Sequence, residues 1–196
     1  MDFSQLQLVP KEFFQGDTYE LASKVLGMYL VKEFGHARIV SRIVELECYT
    51  SNDPASHSFR GITPRNSVMF DSGGIAYVYF IYGMYYCFNI VTDKFGVGGA
   101  LLIRALEPIS GIDIMLNNRK MSGLEQLSNG PGKLCIALDI NKKDNGKDLN
   151  CSDIKIYKSK TAENMEIVQT KRIGIKVGTE LNYRFYIKGN KYVSKK

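Results

Sequence analysis

The chain has 196 residues, 44% hydrophobic, 23% charged and 11% aromatic, with only 5 Pro. That is enough apolar side chain for one globular core, which excludes wholesale disorder. Net charge is +6 and uneven: residues 1–92 carry 7 basic and 9 acidic side chains and residues 93–196 carry 19 and 11, so a polyanionic partner is permitted without being demanded. Cys48, Cys87, Cys135 and Cys151 stand 39, 48 and 16 residues apart, neither the dense framework of a small secreted protein nor a CxxC metal pair, and read as free thiols in a reducing compartment.

The first fifteen residues contain Asp2, Lys11 and Glu12 and no unbroken apolar stretch, so no signal peptide is expected. Asp17 with Glu20 three residues on reads as a helix N-cap. Leu21, Val25 and Leu26 follow at helical spacing, and Gly27 is placed to end the helix, which spans about 17–26. The pattern then changes to period two: strands at 28–34 and 39–49 flank a turn at Gly35. The longest uncharged run, 21 residues between Asp71 and Asp93, holds Gly73, Gly74, Gly83, Asn89 and five tyrosines, which is not a membrane-spanning composition. Residues 75–91 predict two strands joined by a tight turn near Tyr82 and Gly83. A third apolar strand covers 100–106. Pro108 then suits the first turn of a helix with Ile112, Met115 and Leu116 inward, and a second short helix starts after Pro131 with Leu134, Cys135 and Leu138 inward. Residues 142–160 are lysine-rich and weakly periodic, and strands resume at 173–177 and 183–187. No repeat or linker divides the chain, so residues 1–196 read as a single α+β domain with strands outnumbering helices.

Chemistry concentrates at few positions. Alternation in RIVELECYT puts Glu45, Glu47 and Tyr49 on one strand face and Val44, Leu46 and Cys48 on the other. The bland reading is a polar face in water, but a strand this close to the core asks a partner or a purpose of its carboxylates. Arg104 is the one charge within ALLIRAL and must meet a carboxylate or an anion: either a structural ion pair with Glu45 or Glu107, or a group holding a water or anion beside Glu47. Tyr82, at a hairpin tip, cannot reach its own core, and wedging into a minor groove would use it. His57 lies in a loop-like segment with only His36 for company in the chain, so no metal site is expected. Asn129-Gly-Pro-Gly-Lys133 fails the Walker pattern, though Lys133 and the helix start could contact a phosphate.

Taken together, LASKVLGMYLV, RIVELECY, PASHSFRGITPRNSVMF, YVYFIYGMYYCFNI, LLIRALEP, SNGPGKLCIALDI, RIGIKVG and YRFYIKG resemble, in order, the alkyladenine type of 3-methyladenine DNA glycosylase over most of residues 20–189. The resemblance implies a curved, mostly antiparallel sheet with peripheral helices and a protruding hairpin that enters the DNA minor groove. It implies a monofunctional hydrolase that flips alkylated or deaminated purines out of duplex DNA and leaves an abasic site, with no cofactor. By position, Glu47 would activate the attacking water, with Arg104 and the Ile173 carbonyl helping to hold it. Tyr49, His57 and Tyr79 would line the base pocket, Asn89 would obstruct the exocyclic amine of a normal guanine, and Tyr82 would fill the gap in the duplex. The loop after His57 is one residue shorter than the family pattern and carries Phe59, which bears on the pocket rim. A monomer in the bacterial cytoplasm is the expected setting. Two further readings stay open: a catalytically silent module that binds damaged DNA, and a nucleosidase acting on free nucleosides.

Overall fold

The computed structural model describes residues 3–161 and 164–195. Nine strands and three α-helices occur among them: β1 (Leu6–Leu8), α1 (Thr18–Val25), β2 (Tyr29–Phe34), β3 (Ala37–Tyr49), β4 (Ala76–Ile81), β5 (Tyr85–Thr92), β6 (Gly99–Ser110), α2 (Ile112–Arg119), α3 (Pro131–Ala137), β7 (Ile154–Ser159), β8 (Ile167–Thr170) and β9 (Arg184–Ile187). The pairings are antiparallel, in the order β1-β7-β2-β3-β6-β5-β4, with β9 joining β3 and β8 joining β9. This is a single-domain α+β fold built on one open sheet, as the sequence leads one to expect.

The β-branched run of β3 is its axis. One edge pairs with β6 along nearly its whole length, while the other serves β2 over residues 37–42 and β9 over Glu45–Glu47. The changeover falls at register shifts around Ile43 and Glu45, where an irregular strand can bend and exchange partners. Val44, Leu46 and Cys48 pack into the main core with Leu21, Ala22 and Val25 of α1, Met115 of α2 and Leu134, Cys135 and Ala137 of α3. All three helices contribute to this one cluster, so they cover one face of the sheet. The opposite face keeps two smaller clusters and the polar side of β3.

Local signals act as expected at several points. Asp17 accepts a hydrogen bond from the Glu20 N–H at 3.0 Å, and Gly27, at φ 82°, turns the chain out of α1. The four cysteines are free thiols. No helix among the described residues is long and apolar enough to cross a membrane. Other expectations are corrected. Pro108 lies inside β6 opposite Ser41, beside a register shift that spares the ladder an N–H there, and α2 starts only after Gly111. Residues 173–177 are not a strand. The strand lies earlier, at β8, and the segment after it is broken by Gly174 and Gly178 at φ 78° and 62°. The lysine-rich stretch contains β7, whose Ile154 and Ile156 alternate into the core while its lysines face outward.

Candidate active site

The polar face of β3 is not in water. Glu45 and Glu47 are both 0% exposed, so the solvated-face reading fails, and the reason is Arg104. Its Nε donates to Glu45 Oε1 at 3.1 Å and its Nη1 lies 3.1 Å from Glu47 Oε1, one guanidinium bridging both carboxylates. Glu107, the other candidate partner, instead accepts from Asn190 Nδ2 at 2.9 Å. Burial works against the charge of Arg104, but the carboxylates of Glu47 and Glu45 outweigh it and hold the guanidinium protonated beyond its ordinary range.

The two carboxylates differ in how fully they are occupied. Glu45 receives Arg104 Nε, Arg184 Nε at 2.7 Å, Ser194 Oγ at 2.9 Å and the Ser194 N–H at 2.6 Å. Glu47 Oε1 receives Arg104 and the Ile173 N–H at 2.8 Å, and Oε2 receives the Tyr49 hydroxyl at 2.9 Å. A carboxylate oxygen has two lone pairs, so Oε2 can take a second donor. Arg104, Tyr49 and Ile173 cover Glu47 and also line a cleft of about 370 Å³.

The cleft walls come from β4, β5, the first turn of α3 and two loops, with Tyr49 of β3 and Arg104 of β6 also lining it. Tyr77 and Tyr79 alternate along β4, His57 leans in from the β3–β4 loop, and Asn89 of β5 and Pro131 and Gly132 of α3 join the lining. His57 and Tyr79 meet edge to face with centroids 4.6 Å apart, and Tyr77 lies 5.4 Å from Tyr79. His57 Nδ1 is 2.9 Å from the Tyr77 hydroxyl, which fixes the imidazole. Burial and the Arg65 charge lower the His57 pKa and favour a neutral ring. Burial pushes Tyr77 up to about 12, and burial first, with the Glu47 charge second, raises Tyr49 further, so both phenols remain protonated donors. Asn89 Nδ2 donates to the Tyr77 carbonyl at 2.9 Å, which holds its amide still within the lining. Tyr82 stands at the mouth, 76% exposed, where the β4–β5 turn has φ 55° at Tyr82 and 68° at Gly83. Lys133 is tied to Asn129 Oδ1 at 2.8 Å.

Glu47, Arg104, Tyr49, His57, Tyr79, Asn89, Ile173 and Tyr82 are thus gathered at or beneath one cleft, Ile173 meeting Glu47 through its N–H. The sequence reading missed Arg172. Its guanidinium pairs with both oxygens of buried Asp53, donates to the carbonyls of Cys48 and Gly178, and lies 4.7 Å over the Tyr49 ring. The signal was available, since Arg172 is a charge entering the apolar motif RIGIKVG, as Arg104 is in ALLIRAL.

A carboxylate clasped by a guanidinium under an aromatic, base-sized cleft equips a hydrolase that cleaves a glycosyl bond to a flat ring system. The methylpurine-DNA glycosylase family model matches residues 12–191. A protein of Carboxydothermus hydrogenoformans named "putative 3-methyladenine DNA glycosylase" is 49% identical over 190 residues, covering 96% of this chain and 100% of the relative. Proteins of the same name from Francisella tularensis and Alkaliphilus oremlandii are 50% and 43% identical, covering 91% and 95% of this chain and 94% and 98% of theirs. The chain belongs to the methylpurine-DNA glycosylase family. Its class is that of the DNA-repair hydrolases of N-glycosyl bonds.

Proposed function

We propose that this protein excises alkylated or deaminated purines, among them 3-methyladenine, 7-methylguanine, hypoxanthine and ethenoadenine, from double-stranded DNA. The observation that carries the reading is the Glu47 cluster beneath the cleft: Arg104, Tyr49 and Ile173 hold the carboxylate and at the same time form the surface a substrate would meet. The damaged nucleotide swings out of the stack, its base enters between Tyr49, Tyr79 and His57, and Tyr82 occupies the gap from the minor groove. Electron-rich rings favour a purine that carries positive charge, and Asn89 opposes the exocyclic amine of an undamaged guanine.

The bond between sugar C1′ and the base nitrogen breaks with its electron pair leaving on the base. The sugar gains oxocarbenium character, which the ionised Glu47 stabilises more in the transition state than in the ground state. A water at Oε2 gives its proton to Glu47 as its oxygen bonds to C1′; that proton passes on to a base that departed as an anion, or to solvent where a cationic base departed neutral, and an abasic site remains with Glu47 ionised again. Arg104 and the Ile173 backbone orient that water. Water is the only co-reactant, and one protomer on one duplex suffices, acting where the bacterial chromosome lies.

Single-turnover release from duplexes holding one hypoxanthine, one ethenoadenine or one 7-methylguanine tests this. Wild-type protein is expected to release base, and Glu47→Gln to lose at least a hundredfold in rate. Full release by Glu47→Gln removes the mechanism. Tight lesion binding without release by the wild type makes the protein a silent damage binder.

A further inference from the structure

After β9 the chain does not leave the molecule. Asn190 bonds Glu107 of β6 at 2.9 Å, Tyr192 packs into the main core, Val193 is buried, and Ser194 reaches Glu45 with both its N–H and its hydroxyl. The Lys195 carbonyl then accepts from Arg184, whose Nε holds the same Glu45 oxygen. Neither Glu45 nor Ser194 lines the cleft, whereas Arg104 does. Of the groups that hold Glu45 only Arg104 lines the cleft, whereas all three that hold Glu47 do, so Glu45 stands one step further from a substrate than Glu47. Glu45 has a definite place in a buried chain of charges, Arg184–Glu45–Arg104–Glu47, in which two guanidiniums balance two carboxylates.

The arrangement fixes how Arg104 divides itself. Glu45 Oε1 takes Nε of Arg104, leaving Nη1 for Glu47. A guanidinium is a planar fork, so anchoring one edge sets the direction of the other. Glu45 can serve as that anchor only if its own position is set, and the donors from Arg184 and Ser194 set it. Without Ser194, Glu45 loses two of its four donors and can rotate, and Arg104 rotates with it. We propose that the C-terminal segment around Ser194 is a working part of the active site, in which Ser194 and Glu45 are positioning residues that aim Arg104 at Glu47. The inference rests on the reading of Glu47 as the residue that activates water.

The test uses the full chain on a duplex with one hypoxanthine, measuring single-turnover excision, lesion-duplex affinity and thermal melting side by side. Ser194→Ala removes the hydroxyl donor at a half-exposed position and is expected to lower the excision rate about tenfold, since misplacing a group by around 1 Å can cost up to a hundredfold. Affinity is expected to stay at the wild-type value, because Ser194 lies outside the cleft. Ser194→Thr, which keeps the hydroxyl and the N–H, is expected to restore the rate. Glu45→Gln keeps the shape, loses the charge, and is expected to be slower than Ser194→Ala at unchanged affinity. A wild-type rate in either Ser194→Ala or Glu45→Gln would overturn the inference, as would a loss of rate matched by an equal loss of affinity or left unrescued by threonine. Glu47→Gln run in parallel separates the two failures. If it is inactive while Ser194→Ala is normal, only the role of the tail falls; if it remains active, both readings fall.

Discussion

Tyr82 has φ 55° and 76% of its surface in solvent. A left-handed backbone costs a non-glycine residue roughly 1–2 kcal/mol, and an exposed aromatic ring recovers nothing from the core. Glycine or asparagine would suit the turn better, so folding does not explain the tyrosine, whereas the proposed filling of a vacated base position would. Tyr82→Gly is therefore expected to melt within a few degrees of the wild type while excising from duplex at least tenfold more slowly. Wild-type excision by this variant would remove the wedge assignment. Tyr49 is constrained differently: its ring lies under Arg172 and its hydroxyl is on Glu47, so one residue gives the cleft a stacking face and the carboxylate a donor.

At the scale of elements, β3 organises the site by exchanging partners midway. The irregularity near Ile43 and Glu45 lets β2 depart and β9 arrive, and β9 brings Arg184 to Glu45. The Arg172–Asp53 pair joins the loop bearing His57 to the segment bearing Ile173, fixing two walls of the cleft to each other. Both charges are buried, so removing one leaves the other unpaired at a cost of about 3–5 kcal/mol. Arg172→Ala is expected to lose stability on that order, and Arg172→Ala with Asp53→Asn to lose less than Arg172→Ala alone. A strictly additive denaturation cycle would contradict the coupling. The hairpin, α1, α3 and the alternation of β3 were legible because each rests on local chemistry: aromatic and β-branched runs, caps, period two. Pro108, residues 173–177 and the further partners of Glu45, Arg184 and Ser194, were not, because each is decided by chain distant in sequence: Ser41 for Pro108, Asp53 for the segment after Arg172, the C-terminal segment for Glu45. Arg104 was read correctly as needing a carboxylate, yet only tertiary structure shows that it takes two.

For the molecule as a whole, a second charge network, buried at Lys32 and Asp144 and half-exposed at Lys147 and Asp153, holds β2 to the chain around β7. Lys32, 4% exposed, donates to Asp144 at 3.0 Å and Asp153 at 2.7 Å, and Lys147 bonds the same two carboxylates. Burial alone would raise the Asp144 pKa, but the bonds from Lys147, the Asn141 N–H and Lys32 more than reverse it. For Asp153 the bonds from Lys147 and Lys32 likewise overcome burial. Carboxyls depressed in the folded state stabilise it above their unfolded pKa of about 4, and that contribution disappears as pH falls through the lower folded value. Melting temperature is expected to drop markedly between pH 5 and pH 3, and less steeply in Asp144→Asn. A wild-type curve flat over that interval would show that the network contributes nothing to acid stability.

The returning C-terminal segment also bears on how the protein is handled at the bench. A purification tag or fluorophore joined after Lys196 would be separated from Ser194 and its bonds to Glu45 by only Lys195 and Lys196. One joined at the opposite terminus enters the fold at β1, the three-residue strand on the outer edge of the sheet, with β7 and β2 between it and β3. Labels belong at the N-terminus.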